Sequence, residues 1–235
     1  MNKRFWILVG LIVALFGALI VFNNREAKKA DTNNSGGNTT SQSTEHLRGK
    51  LDSKVSFVEY GDFQCPSCSQ YEPLITALYE KYKDTVRFQF RNLPLTQIHQ
   101  NAFAAARAAE AASNQGKFWE MHDKIYRGQQ QWSQTTTASA SFEAYARELG
   151  LNIDQYKTDV VSSETNSRIN ADKEAFQQLK LPLETPTFIL NGNKIDLKNV
   201  QTLDDFSKFV DEALKAEGIT PPAATTTPAT ENTQP

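Results

Sequence analysis

Cys65 and Cys68 are the only two cysteines among 235 residues, and two residues separate them in the run Cys65-Pro66-Ser67-Cys68. The apolar run Val55-Ser56-Phe57-Val58-Glu59-Tyr60 before them reads as a strand, and a helical pattern follows them. A chain with this pair must fold so that a strand hands over to a helix at the two thiols. Thiols so placed can form a reversible disulfide. The free N–H groups and dipole of a helix N-terminus favour the thiolate of the first one. That is the sequence sign of thiol–disulfide exchange. A static cross-link fits poorly, because loop-closure stabilisation grows with the length of the closed loop. Structural zinc also fits poorly. It wants four ligands, no second cysteine pair exists, and His46, His99 and His122 show no ligand spacing. No metal and no cofactor are expected.

The net charge of -2 and the pI near 6.0 leave no nucleic-acid footprint. Phe5 to Phe22 is unbroken apolar or glycine sequence, with Lys3 and Arg4 before it and Asn23, Asn24 and Arg25 after it. Its 18 residues at about 1.5 Å each span roughly 27 Å, just enough for a bilayer core. Residues 1–22 are therefore expected to be a single uncleaved signal anchor. The competing reading is a cleaved signal peptide, but Val21 and Asn23 fill the places where small residues would mark cleavage. Either segment directs export. Basic residues flank both ends, so charge alone does not orient it. The exchange pair does, since it works as an oxidant only outside the reducing cytosol. The expected location is a cell membrane, single-pass, with the catalytic domain on the extracytoplasmic side.

Residues 23–50 are polar and read as a disordered linker, and residues 218–235 as a disordered Pro/Thr/Ala-rich tail. One domain, 51–217, lies between them. Val55–Tyr60 is a buried strand and Pro66–Tyr82 a helix, with Tyr71, Leu74, Ile75, Leu78 and Tyr82 on one stripe and Pro73 expected to kink it. Val86–Asn92 is a second strand, so the first three elements form a right-handed βαβ unit with parallel strands. Helical patterns follow over His99–Ser113, Lys117–Tyr126, Ser141–Leu149, Asp154–Val161 and Glu164–Leu179. Strand character returns at Thr187–Leu190, and Asn191-Gly192 signals a hairpin into Lys194–Asp196. Thr202-Leu203-Asp204-Asp205 opens a last helix. The order βαβ, helices, ββα predicts an α/β fold: a thioredoxin-like core with an inserted all-helical subdomain at about 97–163.

Four stretches resemble the DsbA-like thiol:disulfide oxidoreductases. Val58-Glu59-Tyr60-Gly61-Asp62-Phe63-Gln64-Cys65-Pro66-Ser67-Cys68 is similar to their active-site segment. Phe90-Arg91-Asn92-Leu93-Pro94-Leu95 is similar to the strand before their helical insertion. His99-Gln100-Asn101-Ala102 to Phe118-Trp119-Glu120-Met121-His122 resembles their first inserted helices, and Thr185-Pro186-Thr187-Phe188 their cis-proline loop. The match runs from about Gly49 to Ala216. It departs at the inner dipeptide, where Pro66-Ser67 replaces the Pro-His of the most oxidising members.

The resemblance implies roles. Cys65 is the nucleophile and Cys68 the buried resolving thiol. Glu59, an acid inside an apolar strand, is the proton acceptor for Cys68, with burial raising its pKa; the bland alternative is a surface-facing strand residue. Pro186 is cis beside the disulfide. Thr185 pairs its backbone with the client peptide as an added strand and brings its hydroxyl towards the sulfurs. Pro66 and Ser67 complete the client-binding surface. His99 and His122 read as helix-face residues, and Trp119 and Trp132 as packing. The function so implied is an exported, membrane-anchored oxidoreductase. It gives the Cys65–Cys68 disulfide to reduced exported client proteins and is reoxidised by a quinone-linked membrane partner. A disulfide isomerase or reductase is the neighbouring alternative. A non-catalytic binding module or chaperone is the distant one.

Overall fold

The computed structural model describes residues 45–223. The apolar run Phe5–Phe22, most of the expected linker and the end of the tail lie outside the described residues. Among the described residues, no helix is long and apolar enough to cross a membrane.

The sheet is built around the cysteine-bearing strand. β1 (His46–Gly49), β2 (Ser56–Gly61), β3 (Arg87–Asn92), β4 (Thr187–Leu190) and β5 (Asn193–Lys194) lie in the order β1-β3-β2-β4-β5. β2 runs parallel to β3, with Glu59 opposite Phe90, and antiparallel to β4, with Glu59 opposite Phe188. The parallel pair is joined through α1 (Pro66–Tyr82), as the βαβ reading requires. Cys65 is the N-cap of α1 and Pro66 its first residue, where the missing N–H costs nothing. Pro73 lies inside the helix.

One face of the sheet packs against α1 and α8 (Leu203–Ala216). Phe57, Leu78, Phe88, Phe188, Phe206 and Val210 are buried together there. Burying each such side chain stabilises the fold by roughly 1.5–3 kcal/mol. Thr202 caps α8, with its hydroxyl taking the Asp205 N–H at 3.2 Å and Asp205 reciprocating, which is the expected capping box.

Between β3 and β4 the chain is helical: α2 (Ala102–Ser113), α3 (Phe118–Arg127), α4 (Gln129–Trp132), α5 (Ala138–Glu148), α6 (Ile153–Val160) and α7 (Ser163–Gln178). The alanines of α2 allow close approach, and Ala105, Ala108, Ala109 and Ala112 are buried with Met121, Ile125, Trp132 and Phe142. The same cluster includes Phe63, Cys65, Cys68 and Phe90, so the helices close over the dithiol from one side. α7 returns beneath the other face of the sheet, where Phe176 meets Tyr60 edge-on.

Three expectations need correction. His46–Gly49 is not linker but an edge strand, antiparallel to β3 with His46 opposite Phe90. The folded domain therefore starts before residue 51. His-Leu-Arg-Gly has no apolar alternation to mark a strand. What holds it is tertiary: His46 Nε2 meets the buried Glu110 carboxylate at 2.6 Å, and its ring stacks on Phe118 at 3.3 Å. The helix expected from His99 begins at Ala102, because His99 is turned back onto Asp62. The hairpin strand is Asn193–Lys194 alone, since Asp196 caps a short 3-10 helix at Leu197–Asn199.

Candidate active site

The turn into α1 is held by Asp62, whose side chain is fully buried. Its Oδ1 accepts the Gln64 N–H at 2.8 Å, and its Oδ2 accepts the Leu95 N–H at 2.8 Å and meets His99 Nδ1 at 2.7 Å. Its carbonyl accepts the Cys65 N–H at 3.0 Å. The helices hold the same turn from the other side. Gln129 Nε2 donates to the carbonyls of Phe63 and Cys65 at 2.8 and 3.0 Å. Gln64 donates to the Ser133 carbonyl and accepts the Asn101 N–H. No sequence signal marks His99, Gln64 or Gln129 for this work, because their partners are 37 or more residues away.

Both cysteines are free thiols, Cys65 7% exposed and Cys68 fully buried. Their environments pull them apart. The Cys65 pKa falls to about 5, chiefly because the Cys68 thiol donates to its sulfur; burial opposes this, while the Thr185 side chain and the N–H groups of Cys68 and Ser67 add to it. The last two are the free donors of the first helical turn. The Cys68 thiol is pushed well up, first by burial, then by the bond it gives Cys65 and by the negative charges of Cys65 and Glu59. One thiol is thus poised to attack and the other held protonated beneath it.

Thr185 and Pro186 close the site from the opposite side, and the bond between them is cis. As a thiol, Cys65 donates from Sγ to the Thr185 carbonyl at 3.3 Å. Thr185 Oγ1 is buried with no hydrogen-bond partner in this form, and a Cys65 thiolate is the acceptor it lacks. Pro66 and Ser67 are exposed on the rim. A groove of about 450 Å³ runs from Ser67 between Tyr71, Thr185, Pro186, Leu197 and Lys198.

Glu59 lies on the buried face of β2, 7% exposed, so the surface-facing alternative does not hold. Burial raises its pKa to about 8, Arg48 draws it down, and Glu72 and Cys65 push it up. Arg48 lies on β1, and nothing in the pattern His-Leu-Arg-Gly marks it as part of the site. Trp119 is more than packing, because it carries the Arg48 guanidinium on its ring at 3.8 Å. Trp132 is fully buried, its indole donating to the Ile125 carbonyl. His122 is buried among Phe63, Phe90 and Tyr126 and meets Asp123 at 3.0 Å. Glu72, His122 and Asp123 bring one ligand atom each within 4.8 Å. Arg48 already supplies positive charge to Glu72 and Asp123, so the arrangement does not favour a metal cation there.

A dithiol at the start of the first helix of a thioredoxin-like fold, faced by a cis-proline loop and underlain by a buried carboxyl, defines the class of protein thiol:disulfide oxidoreductases. The thioredoxin family profile matches residues 41–212. The probable disulfide bond formation protein D of Bacillus anthracis is 30% identical over 190 residues, covering 79% of this chain and 85% of its own. A Salinispora tropica protein named as the Na(+)/H(+) antiporter NhaA 3 is 37% identical over 177 residues, 74% of this chain. This chain spans only 26% of that relative's length, and the antiport named for it is its own. Among solved structures, a thioredoxin-like oxidoreductase from Silicibacter pomeroyi superposes with a TM-score of 0.60 at 25% identity, covering 73% of this chain and 92% of its own. Oxidised BdbD from Bacillus subtilis superposes at 0.63 over 73% of this chain and 93% of its own. The chain belongs to the thioredoxin family, in its DsbA-like thiol:disulfide oxidoreductase branch.

Proposed function

We propose that this protein is an oxidase, passing the Cys65–Cys68 disulfide to reduced exported proteins. Cys65 is the attacked and attacking sulfur, Cys68 the resolving thiol and Glu59 its proton partner. Client backbone pairs with Thr185 beside Pro186, and client side chains rest over Pro66 and Ser67. The observation that carries the reading is the separation of the two thiols, with Cys65 at about 5 and Cys68 well above the ordinary thiol range.

Oxidising strength follows from how far the reduced form is stabilised. At pH 7 a thiol of pKa about 5 is nearly all thiolate. Against the pKa of roughly 7 of thioredoxin's thiol, that is worth about 2 kcal/mol, or on the order of 50 mV for two electrons. Thioredoxin itself stands at roughly -270 mV and the strongest oxidants at about -120 mV. The expected potential lies between them. Ser67 has no cationic form to add to thiolate stabilisation, which supports an intermediate value.

The apolar run Phe5–Phe22 supports a tether that keeps the domain outside the membrane, where a quinone-linked partner reoxidises Cys65 and Cys68. The test is the equilibrium potential of the purified protein against a glutathione series. A value well above roughly -270 mV, towards the roughly -120 mV of the strongest oxidants, fits the oxidase. A value as low as roughly -270 mV would reverse the direction of electron flow and make the protein a reductase.

A further inference from the structure

Arg48 is a partly buried cation on the edge strand β1. In register, Arg48 on β1 lies opposite Phe88 on β3, and Phe88 opposite Phe57 on β2. Two residues along, His46, Phe90 and Glu59 form the next row. Paired residues share a face, and so do alternate residues of a strand. Arg48 and Glu59 therefore lie on the same face of the sheet, beneath α1 and α3. α1 brings Cys68, Glu72 and Tyr79 to this face, and α3 brings Trp119, His122 and Asp123.

The guanidinium is clamped between two rings, its Cζ 4.1 Å from the centroid of Tyr79 and 3.8 Å from that of Trp119. Such cation–π contacts hold a charge without neutralising it. Arg48 Nε is buried without a hydrogen-bond partner. The neighbouring carboxylates have other partners: Asp123 meets Arg127 at 2.9 Å and His122 at 3.0 Å, and Glu72 accepts the Thr76 hydroxyl at 2.6 Å. His122 is held towards its neutral form by burial. The Arg48 charge is shared among Asp123, Tyr79, Glu59 and Glu72, and at Glu59 it is the group that opposes burial.

We propose that Arg48 is the positioning residue of the proton-transfer step, the fixed counter-charge that lets buried Glu59 exchange a proton with Cys68. This rests on the reading of Glu59 as the proton partner. In the resolving step the Cys68 S–H bond breaks and its proton passes to a Glu59 oxygen. The Cys68 sulfur bonds to Cys65 Sγ as the Cys65–client S–S bond breaks, and the client leaves as a thiolate. In the oxidising direction the same atoms move in reverse: a client thiolate attacks Cys65, and Cys68 leaves and takes its proton from Glu59. Both directions need a carboxyl that can ionise without water. At a pKa of about 8, roughly a tenth of Glu59 is ionised at pH 7. Each further unit upward cuts that fraction about tenfold.

The test is single-turnover release of a peptide from a preformed mixed disulfide with Cys65, between pH 6 and 9, in the wild type, Arg48→Met, Arg48→Gln, Arg48→Lys and Glu59→Gln. Wild-type release should rise with pH about a midpoint somewhat below 8, because a Cys65 bonded to the client no longer pushes the Glu59 carboxyl up. In the two neutral variants the midpoint should move up by about one unit, with release about tenfold slower at pH 7, and Arg48→Lys should restore most of it. Arg48→Gln keeps a planar, polar head and answers the question if the methionine variant does not fold. A purely structural role would lower melting temperature in all three Arg48 variants and leave the midpoint in place, and that result overturns the proposal. If Glu59→Gln also keeps the wild-type midpoint, it is the reading of Glu59 that fails.

Discussion

Thr185 shows how a single residue sets the chemistry. Its carbonyl takes the Cys65 thiol at 3.3 Å, and its hydroxyl is buried with no acceptor until Cys65 ionises. A hydrogen bond to a charged group contributes about 1.5–3 kcal/mol, or roughly one to two pKa units. Thr185→Val should therefore raise the Cys65 pKa by at least about one unit, followed by thiolate absorbance during a pH titration. An unchanged titration would mean that the helix N-terminus and Cys68 hold the thiolate unaided. The two thiols should also divide their labour in cells. Cys68→Ala should accumulate mixed disulfides with exported proteins on non-reducing gels, and Cys65→Ala should not; trapping by the second variant would exchange the roles. The cysteines were legible because their signal is local: two thiols, a proline at the first helical position, a strand before them. Glu59 was legible as an anomaly in an apolar strand, but its burial needed the sheet. Thr185 and Pro186 could be singled out only through resemblance, since a cis bond leaves no mark in a lone sequence.

Elements were read well where periodicity is strong and poorly where tertiary contact decides. α8, with its capping box, and β4, bounded by Pro186 and Asn191-Gly192, stand where their sequences put them. β1 does not announce itself. It is a strand because β3 offers an edge and Glu110 offers His46 a carboxylate. Glu110 is fully buried and also takes Arg168 at 3.0 Å and Asn92 at 2.7 Å. This ties β1, β3, α2 and α7 into one knot. A chain beginning at Leu51 should lose more than an edge strand. It would leave Glu110 short of a partner, expose the β3 edge and remove Arg48. Leaving a buried polar group without one of its hydrogen bonds costs about 1–3 kcal/mol. Thermal unfolding of that shortened chain against one beginning at Ser41 checks this, and equal melting temperatures would show the strand to be dispensable.

At the scale of the whole molecule, the site makes stability depend on redox state and pH together. Folding depresses the Cys65 pKa from the ordinary thiol range to about 5. Between those values the unfolded dithiol binds more protons than the folded one, so the stability of the reduced protein rises with pH. This contribution is fully present above the unfolded thiol pKa and is lost as pH falls through about 5. The disulfide form has no such thiol to titrate. Cys68 is pushed the opposite way, but its effect appears only above the ordinary thiol range. Glu59, raised to about 8, weakens both redox forms as pH climbs and largely cancels from the difference. The pH-dependent part of the gap between reduced and oxidised protein should then be roughly 2–3 kcal/mol at pH 7 and nearly gone at pH 4. Cross-linking so short a loop adds only a pH-independent offset. Urea unfolding of both forms at the two pH values measures it. A gap that is the same at both would mean that Cys65 is no thiolate in the folded protein, and the chemistry assigned to the start of α1 would lose its basis.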